Sequence, residues 1–158
     1  MPIELVSTSP ANAVPAVHPL IERLCALTAA PILAADEVEA WAAAPGRALL
    51  VFTEDPHMFR ETLDLAVIVP ELAQASGGAF RTGVLLQQAA RVVARRYGFR
   101  RWPALVMLAD GQYVGAIDGL RDWDEYLTEI GRLLAAPPTR VPGIGIPLTT
   151  EGGAGGCH

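Results

Sequence analysis

Tyr97-Gly-Phe-Arg-Arg-Trp-Pro-Ala-Leu-Val-Met-Leu108, with the Asp110-Gly111 pair and Tyr113-Val-Gly-Ala116 after it, is the stretch that decides the fold. Leu105 to Leu108 and Tyr113 to Ile117 are predicted as two strands of a hairpin. Asp-Gly between apolar runs is a strong hairpin signal, because glycine takes positive φ at little cost. Pro103 opens the first strand, a position where a missing amide hydrogen is tolerated. Upstream, Gln88 to Tyr97 places Ala90, Val93, Ala94 and Tyr97 on one face and Arg91, Arg95 and Arg96 on the other, an amphipathic helix stopped by Gly98. Downstream, Asp122 to Leu134 is predicted as a closing helix that buries Trp123, Tyr126, Leu127, Ile130 and Leu134.

Further out, Ala48-Leu-Leu-Val-Phe-Thr53 is a continuous apolar run between Gly46 and the Glu54-Asp55-Pro56 turn, the pattern of a central strand buried on both faces. A helical pattern follows through Leu63, Val67 and Leu72, with Pro70 expected to kink or restart it and Ser76-Gly77-Gly78 to end it. Ala79 to Leu86 is a second, parallel strand. Before the central strand, Leu20, Ile21, Leu24 and Leu27 have helical spacing, and Asp36 to Trp41 is predicted as a short helix with Asp36 as its cap. Residues 1–17, rich in Pro, Ala and Ser, are expected to form a flexible lead-in. Residues 137–158 are expected to be a Pro/Gly-rich tail, leaving one domain over residues 18–136.

Strand, helix, parallel strand, helix, hairpin and terminal helix in this order resemble the thioredoxin-like α/β fold, a central mixed sheet flanked by helices with a cis-proline loop. The resemblance implies a cis Trp102-Pro103 bond and a role for it in aligning an extended polypeptide. A redox-active member carries two cysteines in CxxC spacing after the central strand, one made a thiolate by a helix N-terminus. Here that loop reads Thr53-Glu-Asp-Pro-His-Met-Phe-Arg60, with no sulfur nucleophile. The alignment puts His57 and Arg60 near the two cysteine positions and Val51 where a buried proton-relay carboxylate would sit. Loss of nucleophile, resolving thiol and acid together indicates a scaffold without thiol exchange.

Glu54, Asp55, Glu61 and Asp64 surround this loop. Carboxylates there suit the helix macrodipole and equally suit the arginines of a partner, to which they offer bidentate contacts. His57 is read as a solvated loop histidine and not as a metal ligand. Cys25 lies among Leu24 and Leu27 as a small apolar side chain, and Cys157-His158 is a weak pair of adjacent ligands, so no metal site is assigned. Arg95, Arg96, Arg100 and Arg101 are read as solvated surface.

Seventeen acidic residues against twelve arginines and no lysine argue against nucleic acid, which needs clustered cations. No apolar stretch reaches the ~20 residues that span a bilayer, and residues 1–19 lack the basic n-region of a secretory signal. The cytoplasm is the expected compartment.

Phe52-Thr-Glu-Asp-Pro-His-Met-Phe-Arg-Glu-Thr-Leu-Asp-Leu-Ala-Val-Ile-Val-Pro-Glu-Leu72, with Gly98-Phe-Arg-Arg-Trp-Pro-Ala-Leu-Val106, closely resembles the hydrogenase expression/formation family called HupG or HyaE. That resemblance implies a non-catalytic chaperone, without cofactor, in maturation of a membrane-bound uptake nickel–iron hydrogenase. Its implied partner is the small-subunit precursor with its twin-arginine signal peptide, and other hydrogenase accessory proteins as well. The peptide-binding face is expected at Glu54, Asp55, His57, Arg60, Glu61, Asp64, Trp102 and Pro103. An atypical thiol oxidoreductase using Cys25 or Cys157 and a structural module of a maturation complex are the alternatives.

Overall fold

The computed structural model describes residues 16–142. The Cys157-His158 pair and nearly all of the lead-in lie outside them. Elements run α1 (Pro19–Thr28), a 3-10 turn (Ala35–Glu37), α2 (Val38–Ala42), β1 (Arg47–Phe52), α3 (Glu61–Ala75), β2 (Arg81–Leu85), α4 (Gln87–Ala94), β3 (Ala104–Ala109), β4 (Gln112–Asp118) and α5 (Trp123–Ala135). The sheet order is β2-β1-β3-β4, with β1 parallel to β2 and antiparallel to β3, and β3 antiparallel to β4. A single bridge from Ile32 to Val84 adds the rudiment of a fifth strand outside β2.

The apolar run of β1 is continuous because both of its faces are covered. Leu49 and Val51 point with Leu105 and Met107 into a core closed by α1, α3 and α5. Ala48, Leu50 and Phe52 point with Val106 and Leu108 into a second core closed by α2 and α4. Period-two alternation thus serves two cores from one strand.

At the hairpin tip Asp110 (φ 51°) and Gly111 (φ 84°) are both left-handed, the two-residue turn that matches the twist of paired strands. Asp110 Oδ1 also accepts from Gly46 N at 2.7 Å, tying the turn to the entrance of β1. A bulge between Met107 and Leu108 leaves Val114 without an opposite residue. It brings Gly115 under α5, where a Cβ would overlap Leu133 Cδ2.

Several local expectations need correction. Asp36 does not cap α2. It lies inside the 3-10 turn, and the Glu37 carboxylate accepts from Ala34 N at 2.7 Å instead. Pro70 does not restart α3, a single helix of 15 residues with the proline inside it. The core face of α3 is Thr62, Leu65, Ala66, Val69, Pro70 and Leu72, whereas Val67 is exposed, as is Leu27 on α1. On α5 the buried side chains are Tyr126, Ile130 and Leu133, while Trp123 and Leu127 face outward. At both ends of the described residues the backbone is tied to the domain: Val17 packs on the first core, and Thr139 N donates to Tyr113 O at 2.8 Å.

Candidate functional site

The loop after β1 is held at its root by three independent contacts. Thr53 continues the ladder to Leu85, with N–O at 3.1 Å and Oγ1–O at 2.8 Å. Glu54 N donates to Thr62 Oγ1 at 3.0 Å, joining the loop to the first turn of α3. The Glu54 carboxylate is gripped by Arg91 of α4 in a fork, Nε to Oε2 and Nη2 to Oε1, both 3.0 Å. That geometry is the strong, directional form of an ion pair. Its hydrogen bonds and charge hold the Arg91 guanidinium still more firmly protonated than usual.

Beyond this root the loop closes on itself. Asp55 Oδ1 accepts from His57 N at 3.0 Å, and Asp55 O accepts from Met58 N at 3.0 Å and Phe59 N at 2.8 Å. The turn satisfies its own amides and turns His57, Met58, Phe59 and Arg60 outward, Met58 being 73% exposed.

The Trp102-Pro103 peptide bond is cis. Phe52 pairs with Ala104, so Thr53 and Pro103 lie level one step beyond the paired strands. The Trp102 ring rests edge-on against Phe52 at 6.3 Å and Phe99 at 5.1 Å, a half-buried aromatic wedge on the second core. Pro103 O accepts from Gly119 N at 2.8 Å. Asp118 Oδ2 accepts from Arg100 N at 2.9 Å and Arg101 N at 3.2 Å, and Oδ1 lies 3.5 Å from Arg121. Burial pulls the Asp118 pKa upward, yet the two amides and the Arg101 and Arg121 charges outweigh it, so it lies below the ordinary carboxylate value.

Its contribution to stability is therefore present above the unfolded-state value near pH ~4 and is lost as pH falls through the lower folded-state value. Asp118→Asn is expected to cost about 1 kcal/mol after solvent screening and to flatten the acid limb of the stability profile. Urea unfolding from pH 3 to pH 7 measures both effects.

The expected site residues are thus only partly convergent. Asp55, His57, Arg60 and Glu61 form one exposed turn and helix start beside Trp102-Pro103. Asp64 lies one turn along α3, where its charge raises the pKa of Tyr126, already raised by burial. Glu54 does not join them: it is 6% exposed and its carboxylate is turned inward to Arg91. Arg91, Asp118 and Phe99 escape a reading of the sequence because each acts through a partner remote in the chain. Cys25 sits half-buried against the first core, where burial and then Glu22 push its thiol pKa up. Among the described residues no group of three or more His, Cys, Asp or Glu is placed to hold a metal ion, and no helix is long and apolar enough to cross a membrane.

The family model for the hydrogenase-1 expression protein HyaE matches residues 20–126. The chain belongs to the HyaE family. Two hydrogenase expression/formation proteins called HoxO are similar to this HyaE-family chain over nearly their whole length. The one from Cupriavidus necator is 43% identical over 145 residues, 90% of each chain. That from Azotobacter vinelandii is 38% identical, over 89% of this chain and 94% of its own. HupG of Bradyrhizobium diazoefficiens, also a hydrogenase expression/formation protein, is 31% identical over 66% of this chain and 70% of its own. In structure, a single-site mutant of thioredoxin from Halobacterium salinarum superposes with a TM-score of 0.56 over 69% of this chain and 93% of its own. At 23% identity that likeness shows the fold alone. The role in hydrogenase expression and formation comes from the sequence relatives, and the thioredoxin-like architecture is the frame on which a HyaE-family chain carries it.

Proposed function

We propose that this HyaE-family chain is a non-catalytic chaperone of hydrogenase maturation, acting in the cytoplasm before export. It binds the small-subunit precursor of a membrane-bound uptake nickel–iron hydrogenase through its twin-arginine signal. The face is the turn from Asp55 to Glu61, Asp64 and Trp102-Pro103. One observation carries the reading: the loop level with the cis-proline holds a self-satisfied turn of exposed side chains where thiol chemistry requires cysteines. The raised thiol pKa of Cys25 weighs against an alternative built on that residue, since the thiolate is the nucleophile.

Glu54 enters this reading as the root of the loop, not as a contact. The half-buried carboxylate of Asp55 and the exposed ones of Glu61 and Asp64 are the ones offered to the paired arginines of the signal. Reversing these three charges is expected to weaken binding of a synthetic twin-arginine signal peptide at least ~10-fold, and added salt is expected to weaken the native complex. Titration by fluorescence anisotropy measures both. Unchanged affinity in the triple variant places the arginines elsewhere, and no binding by the native chain removes the proposal.

A further inference from the structure

Beside this face, α5, which packs against α3, leaves apolar surface uncovered. Trp123 and Leu127, one turn apart on α5, are 41% and 38% exposed, and Leu120 just before the helix is 37% exposed. Tyr126 and Ile130 go down into the core with Leu65 and Leu72 of α3. Trp123 and Leu127 lie on the exposed side of α5, next to the buried Tyr126 and Ile130. The ridge begins next to the cis-proline loop: Leu120 follows Gly119, whose N donates to Pro103 O at 2.8 Å.

Its rim is acidic. Glu61 and Asp64 on α3 and Asp124 on α5 make no ion pair among the described residues, while Arg101, whose side chain lies over Gly119, and Arg121 are both paired with Asp118. An apolar strip edged by unpaired carboxylates complements a segment that is itself apolar next to basic. Export signals are built in that way, a cationic start followed by an apolar run of about 7–15 residues.

We infer that the Leu120, Trp123 and Leu127 ridge seats the apolar run of the signal while Glu61 and Asp64 receive its cationic start. The inference rests on the signal-binding reading above and adds to it a second, apolar half of the site. It requires the apolar run for tight binding, so the arginine pair alone is insufficient.

The test titrates the full chain with a twin-arginine signal peptide and with the same peptide whose apolar run is replaced by Ser and Gly. Trp123→Ser and Leu127→Ser are each expected to weaken the native peptide by ~10-fold or more, the loss typical of a central interface side chain. Against the Ser/Gly peptide, already weak, both substitutions are expected to change little. Leu120→Ser supplies a third variant outside the helix should either of the others lose its native circular dichroism. Native affinity in all folded ridge variants, alongside weakened binding by the charge-reversed chain, overturns the ridge and leaves the arginine site standing. Failure of the unmodified chain to bind either peptide overturns the signal-binding reading itself.

Discussion

Phe52→Ala is expected to lower the stability of the domain by roughly 3–5 kcal/mol, the range for deleting a fully buried aromatic ring. Phe52 is 0% exposed and closes β1, with its ring centroid 5.0 Å from Phe99, 6.1 Å from Tyr97 and 6.3 Å from Trp102. Three edge-on contacts converge on it, so truncation removes both its transfer free energy and the surface on which the other rings rest. Phe99 and Trp102 lead into the cis-proline, and they are expected to lose their fixed orientation together. Phe52→Leu retains most of the volume and is expected to cost about 1–2 kcal/mol. Urea unfolding gives the stability change. Emission of Trp102, read with Trp41 and Trp123 replaced by Phe, reports the wedge and is expected to shift red in folded Phe52→Ala and hardly at all in Phe52→Leu. A loss under about 1 kcal/mol would mean that the neighbouring rings close the gap, and that Trp102 is positioned by the backbone clip at Asp118 alone.

That aromatic cluster also shows what the sequence makes legible. The hairpin could be read because its information is local: Asp110-Gly111 between two apolar runs specifies a turn and thereby a register. β1 could be read because burial on both faces needs an unbroken apolar run. The exposed turn at Asp55 to Arg60 was visible as an acidic, proline-containing stretch without cysteine. Helix faces were harder. Val67, Trp123 and Leu127 satisfy helical periodicity as well as their buried neighbours do, and only the packing of α3 against α1 and α5 decides which flank reaches the core. Glu54 was the side chain whose surroundings the sequence concealed most, being turned inward to Arg91. A carboxylate in an acidic loop carries the same local signal whether it faces solvent or a guanidinium 37 positions later, and only the parallel β1-β2 pairing followed by α4 brings Arg91 to it. The same holds for Asp118, whose backbone donors come from residues 17 and 18 positions earlier across the β3-β4 hairpin.

The fork between Arg91 and Glu54 leads to an asymmetric expectation: Arg91→Ala should cost more than Glu54→Gln, although both remove the same ion pair. The Glu54 side chain is 6% exposed and the Arg91 side chain 56% exposed. Deleting Arg91 leaves a carboxylate without a counter-charge in a place that water reaches poorly, which is the costly way to break such a pair. Glu54→Gln leaves a neutral acceptor behind and a guanidinium already half in water, which rehydrates at little cost. A fall in thermal midpoint of roughly 5–10 °C is expected for Arg91→Ala and about 2–3 °C for Glu54→Gln. The double variant should recover most of the larger loss, because the neutral amide no longer needs the missing cation. Coupling of that sign in a double-mutant cycle is the signature of a stranded charge, whereas additive effects would mean that the two side chains act independently. The consequence reaches the proposed binding face, since Glu54 joins the loop to α4 while its own amide joins it to Thr62 of α3. Arg91→Ala is therefore expected also to speed amide hydrogen exchange at His57, Met58 and Phe59, whose donors are held by Asp55 next to the pair. Equal midpoints for the two single variants, with exchange in the turn unchanged, would show that Thr53 and Thr62 suffice to hold the loop.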